Sequence, residues 1–146
     1  MEDRWLRACL EEAKKAFKIG DVPVGAIIVK DNKLVSRAYN KVEKLKDPIA
    51  HAEILAIKRA LRKLKAKYLY GCTMYVSLEP CPMCAYALIL ARIDRVVFLT
   101  QSEKTGAVMS LYNLLDDTRF NHRVKWEYKP VKEAQALIER FFKSKR

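Results

Sequence analysis

Two cysteines at i and i+3, Cys81 and Cys84 in "PCPMC", follow the run "TMYVSLE". In the opening turn of a helix, thiols at that spacing lie on one side, so both sulfurs can reach a single ion. The positive end of the helix also favours the thiolate that zinc requires. A lone C-x-x-C is shared by redox pairs and by ordinary core cysteines. Structural zinc sites use four protein ligands, whereas catalytic ones use three and leave a position to water. Histidine therefore decides between the two classes, and the chain has only His51 and His122. His51 reads as an early residue of another helix. If both helices start at one edge of a sheet, His51, Cys81 and Cys84 converge and a position stays open. Two thiolates neutralise the charge of Zn²⁺ and weaken its effect on bound water, which makes a nearby base valuable. Glu53 is the candidate, able to take the water's proton and return it to a substrate. Residues i and i+2 of a regular helix point to nearly opposite sides, so His51 and Glu53 converge only if the metal lies off the helix tip. A glutamate favoured by the helix dipole is the plainer alternative.

The elements that would position these groups are legible from periodicity. Trp5, Leu6, Cys9, Leu10, Ala13 and Phe17 recur at helical spacing, with Gly20 at the C-terminal cap. "VGAIIVK" and "KLVSRAY" read as strands of a hairpin turning at Asp31-Asn32. Asp47-Pro48 reads as a helix start, with Ile54, Leu55, Ile57, Leu61 and Leu64 carrying its apolar face. "TMYVSL" predicts a third strand, "PMCAYALILARI" a helix, "RVVFLT" a fourth strand, "VKWEY" a weak fifth and "VKEAQALIERFF" a closing helix. Strands alternating with helices imply right-handed crossovers and parallel pairing. The expectation is a three-layer α/β/α sandwich, one domain over residues 1–146, with a five-stranded mixed sheet that begins as an antiparallel hairpin.

The chain carries 29 Lys and Arg against 17 Asp and Glu, a formal charge of +12. That balance suits a polyanionic partner such as nucleic acid, and equally a solvated lysine-rich surface of the kind found in heat-tolerant proteins. Charge and apolar residues interleave in "MEDRWLRACLEEAKKAF", unlike a signal peptide, and no run is long enough to span a membrane. A cytoplasmic protein is expected. Cys9 and Cys72 read as small core residues in a reducing compartment.

"HAE" at 51–53 followed by "PCPMC" resembles the H-x-E and P-C-x-x-C signature of the zinc-dependent nucleobase deaminases. "DVPVGAIIV", "DPIAHAEILAI", "YVSLEPCPMCAYAL", "RIDRVVF", "KTGAV", "NHRV" and the terminal "FF" extend the likeness, in order, to the bacterial tRNA-specific adenosine deaminases. The resemblance implies a cytidine-deaminase-like fold and a homodimer converting the wobble adenosine of a tRNA anticodon to inosine. His51, Cys81 and Cys84 would hold zinc, and Glu53 would activate water and then protonate the ring and the departing amine. It also implies a backbone carbonyl near Pro80 that accepts from the amine, and a purine contact from Asn40, which is equally well read as a turn residue. Ala52, Val24 and Phe141 would form or border the pocket, while Lys104 and Arg92 would meet phosphates. Two positions depart from the family pattern. Ile49 stands where Thr is common, and Ser102 where Asp is common. An acidic group there would suit a ribose 2′-hydroxyl, so Ser102 implies weakened RNA preference and tolerance of single-stranded DNA, as in a chain altered to act on DNA. The rivals are a cytosine or free-guanine deaminase of the same architecture, and a non-enzymatic nucleic-acid-binding domain whose zinc recruits His122 as a fourth ligand.

Overall fold

Residues 2–145 are described by a computed structural model. Five strands, β1 (Gly25–Lys30), β2 (Lys33–Tyr39), β3 (Cys72–Val76), β4 (Arg95–Phe98) and β5 (Lys125–Tyr128), form one sheet in the order β2-β1-β3-β4-β5. β1 is antiparallel to both β2 and β3, and β3, β4 and β5 are mutually parallel. Consequently β2 runs in the same direction as β3, so the segments leaving both strands emerge at one edge. The helices are α1 (Asp3–Lys18), α2 (Val42–Leu45), α3 (Ala52–Leu64), α4 (Pro82–Leu90) and α5 (Lys132–Ser144), with a 3₁₀ turn at Leu114–Asp116.

The three layers follow from period-two alternation along the strands. Ile27, Val29, Tyr75 and Val97 point to one face, where they pack with Cys9, Leu10 and Ala13 of α1 and Ala134 and Leu137 of α5. Ala26, Ile28, Met74, Val76, Val96 and Phe98 point to the other, against Ala52, Ala56 and Ala60 of α3 and Leu88 of α4. The sandwich and its mixed sheet are those expected from the sequence. Asp31 and Asn32 both take positive φ, 51° and 59°, as a two-residue type I′ hairpin requires. Gly20, at φ 81°, follows α1, and Asp21 N closes the cap on Ala16 O at 3.0 Å.

Gly25 is where α1 meets the sheet. A Cβ there would run into Cys9 O and Ala13 N and lie 2.6 Å from Glu12 Cβ. Gly25→Ala is therefore expected to destabilise the fold by about 1–3 kcal/mol or more, read as a lowered denaturation midpoint at unchanged slope.

The start of α3 differs from the sequence expectation. The Asp47 carboxylate accepts from Ile49 N at 2.9 Å, Ala50 N donates to Asp47 O, and His51 N donates to Ile49 O. Asp47-Pro48 thus forms a tight turn, because the aspartate satisfies a local amide, and the helix begins at Ala52. α2 was not expected. It depends on Asp21, fully buried, whose carboxylate takes the Glu43 and Lys44 amides at 3.0 and 3.2 Å from more than twenty residues away.

Candidate active site

α3 follows β2 and α4 follows β3, so both start at the same sheet edge, beyond the C-terminal ends of parallel strands where α/β proteins bind ligands. His51 occupies the N-cap of α3 with extended backbone, φ −72° and ψ 150°. It is outside the helix, and the expected conflict with Glu53 disappears. Cys81 is likewise the extended N-cap of α4 (φ −75°, ψ 173°), followed by Pro82, whose missing N–H costs nothing in a first turn. Cys84 lies one turn in.

His51 Nδ1 is 3.6 Å from Cys81 Sγ and 3.5 Å from Cys84 Sγ, and the three ligand atoms lie within 4.8 Å of one another. Zinc bonds of about 2.1 Å to nitrogen and 2.3 Å to sulfur, meeting at a tetrahedral angle, would place N and S about 3.6 Å apart. The donor set therefore fits a metal ion. His122 is elsewhere, its Nε2 2.7 Å from Ile93 O just before β4, at the opposite edge of the sheet. Among the described residues the cluster has three members, which removes the four-ligand arrangement with His122.

Glu53 is buried, 4 % exposed, and lines the same cleft as His51 and Cys81. Without a metal, burial and the neighbouring Cys81 thiolate raise its carboxyl to about 7, against its own backbone N–H and His51. A hydrogen bond from Cys84, joined by His51, brings Cys81 down to about 4 despite burial. The Cys84 thiol, donating to Cys81 and buried, is pushed far up. Hydrogen bonding to Cys81 raises His51 against burial. Because the folded Glu53 carboxyl holds its proton up to about pH 7 and the unfolded one only to about 4.5, Glu53 contributes a loss of stability as pH rises through that window. Metal-free Glu53→Gln is thus expected to gain on the metal-free unsubstituted chain between those pH values, by an amount on the order of 3 kcal/mol, read as a widening Tm difference.

The cleft has a volume of about 910 Å³. Val24, Asn40, Ser102 and Lys104 line it. Asn40 is nearly buried, its Nδ2 3.5 Å from Asp21 Oδ1, and the Ser102 hydroxyl pairs with that of Thr105 at 2.8 Å. Ala52 and Pro80 are buried beneath the cleft rather than on its wall, and Pro80 O accepts from Ala107 N at 2.9 Å. Phe141 is 7 % exposed and turned into the core, while Phe142, edge-on to it, faces the cleft. The amphipathic α5 buries Ala134, Leu137 and Phe141, and the next residue is rotated by about 100°. Ile49 is exposed. Arg92 lies just before β4, at the opposite edge, stacked over Tyr68 and donating to Tyr70 Oη. Tyr128, Asp21 and Glu79 also line the cleft and were not singled out in the sequence. Only the "LE" before the cysteine motif hinted at Glu79. Lys104 is the one lysine or arginine among the described lining residues, which include the carboxylates of Glu43, Glu103 and Glu139.

The model of the MafB19-like deaminase family matches residues 1–146. A tRNA-specific adenosine deaminase of Aquifex aeolicus is 56 % identical over 145 residues, covering 99 % of this chain and 96 % of the relative. That of Bacillus subtilis is 43 % identical, over 85 % of this chain and 77 % of its own length. A structure solved in a study of A-to-I editing by tRNA:A34 deaminases at the wobble position superposes with a TM-score of 0.89 at 34 % identity, over 92 % of this chain and 99 % of the other. The guanine deaminase of Bacillus subtilis superposes with a TM-score of 0.67 at 27 % identity, over 98 % and 94 %. With a family match over its whole length, and an identity above one half to a relative of nearly equal extent, the chain belongs to the MafB19-like deaminases and, within them, to the tRNA-specific adenosine deaminases.

Proposed function

We propose that this chain hydrolyses adenosine to inosine and ammonia in unpaired RNA, with the wobble adenosine of a tRNA anticodon as its substrate. The observation that carries the reading is the convergence of His51, Cys81 and Cys84 beside the buried Glu53 in one cleft. The activities named for its relatives support the choice of base and of tRNA.

His51 Nδ1 and the two Sγ atoms would hold one zinc ion. When bound, the ion supplies the charge that makes water acidic enough to attack at neutral pH. Glu53 takes a proton from the attacking water and places it on adenine N1 as C6 becomes tetrahedral. It then takes the proton of the new C6 hydroxyl and delivers it to the amine, so that the C6=O bond forms as the C6–N6 bond breaks and ammonia leaves. A carboxyl tuned toward neutrality suits both transfers. The Asn40 amide, held near Asp21, can donate to and accept from the purine edge, and Val24 forms part of the wall. Because the cleft is lined by more carboxylates than cations, it favours the uncharged base and leaves phosphates at the rim, near Lys104. A base inside a duplex could not enter, which an anticodon loop avoids.

The chain acts in this reading as one cytoplasmic domain and as a homodimer. Among the described residues no helix is long and apolar enough to cross a membrane. Tyr86 and Leu90 of α4, and Leu111 and Tyr112 of the segment after β4, are exposed large apolar side chains of the kind a second copy would cover.

Mass spectrometry after incubation with an anticodon stem-loop, a cytidine-containing RNA and free guanine tests the reading. Inosine from the first supports it; uridine or xanthine alone replaces it with the corresponding rival. With serine rather than aspartate at 102, measurable inosine is also expected in single-stranded DNA. Ser102→Asp is expected to shift the rate ratio toward RNA, and no DNA product would remove this part of the reading.

A further inference from the structure

Between β4 and β5, residues 101–113 form a long irregular loop that carries Ser102 and Lys104 to the cleft. Loops of this length without regular structure need a specific anchor to hold one conformation. Ala107 and Val108 are buried in the core and Ala107 N donates to Pro80 O, while one side chain gathers several of the loop's other amides. Glu79 is 2 % exposed, and its carboxylate accepts from Ser102 N at 3.1 Å, Val108 N at 3.0 Å, Met109 N at 2.8 Å, Ser110 N at 2.9 Å and the Ser110 hydroxyl. Gly106 closes the arrangement: its N donates to Ser102 O at 2.8 Å, and a Cβ at 106 would collide with the Glu79 carboxylate and Ser102 O.

Each of these donors belongs to the loop, while Glu79 itself is two residues from Cys81 on the segment leading out of β3. The same side chain therefore holds the loop that places Lys104, the one lysine among the described residues of the cleft wall, relative to the proposed metal ligands. We propose that Glu79 is the positioning residue that holds Lys104 in register with the substrate strand, so that the RNA-phosphate contact of Lys104 depends on the Glu79 carboxylate. This inference rests on the RNA-binding reading above. It assigns Glu79 no contact with substrate.

The dependence is readable in salt, because each phosphate contact to a single strand contributes about 0.7 to the slope of log affinity against log salt. The measurement is binding of a fluorescent anticodon stem-loop to the zinc-loaded full chain bearing Glu53→Ala, which separates binding from turnover. In that background Glu79→Gln and Lys104→Ala are each expected to weaken binding by about five- to tenfold and to reduce the slope by about 0.7. Combined, they are expected to do no more than either alone. Zinc content and the helical circular dichroism signal verify that each variant is folded. If Glu79→Gln does not fold, Gly106→Ala displaces the same loop from the other side and is expected to lose the same slope. A full slope in a folded Glu79→Gln or Gly106→Ala chain, or additive losses with Lys104→Ala, overturns the inference. Because the slope reports binding, it is distinct from the inosine assay, which alone decides whether the bound RNA is deaminated.

Discussion

Glu53→Gln in the zinc-loaded chain is expected to lower kcat by about 10²–10⁴-fold while leaving zinc content and RNA affinity nearly unchanged. The amide has nearly the carboxylate's shape, so it can occupy the same buried site, 4 % exposed, beside the cysteines. What it cannot do is accept a proton from water and release it to N1, then move a second one to the amine. Both transfers run through one side chain, so its loss slows addition and departure together, and a KM change would be minor. Turnover close to that of the unsubstituted chain, with metal in place, would leave the carboxylate as a mere helix-dipole partner and would require another group to move both protons.

Removal of the metal is the second large effect. A chelator at neutral pH is expected to abolish turnover, with recovery on adding about one equivalent of zinc per chain. The fold is expected to survive this. α3 and α4 are held to the sheet by buried Ala52, Ala56, Ala60, Ala85 and Leu88, so the ion closes a site that packing has already assembled. A cooperative thermal transition and native circular dichroism in the metal-free chain check that point; a disordered metal-free chain would make the ion structural. His51→Ala and Cys84→Ser are each expected to weaken zinc binding by more than about 100-fold, since even residues that only orient a ligand are worth about 10- to 100-fold. Near-normal zinc affinity in either variant would show that a different set of atoms holds the ion.

The chemistry and the layer order were readable in the chain because both are written in short-range terms. C-x-x-C spacing, H-x-E, the strand alternation of Ile27 and Val29 against Ala26 and Ile28, and the Asp31-Asn32 turn each depend on a few neighbouring residues. The conflict between His51 and Glu53 was also posed by the sequence, but its resolution needed the turn at Asp47–Ala50 to place His51 outside the helix. Periodicity rules assume a residue is within an element, and they fail at caps.

Phe141 and Phe142 illustrate another limit. Adjacent aromatics in an amphipathic helix are nearly equivalent in pattern, and only the angle at which α5 docks decides that Phe141 enters the core and Phe142 meets the cleft. Arg92 lies away from the cleft, a placement the sequence could not give, since a basic residue's charge says nothing about which sheet edge it occupies.

By itself, then, the sequence singled out His51, Glu53, Cys81 and Cys84 as candidates for the chemistry and determined the alternating order of strands and helices, because local spacing and side-chain type carry that information. Only the tertiary structure decided that β2 and β3 run the same way and so bring both helix starts to one edge, that Asp21 and Glu79 reach across more than twenty residues to hold α2 and the 101–113 loop, and that the cleft wall of a basic protein carries a single lysine among its described residues. Those are relations between segments distant in the chain, fixed by shared burial and by hydrogen bonds that no local pattern encodes.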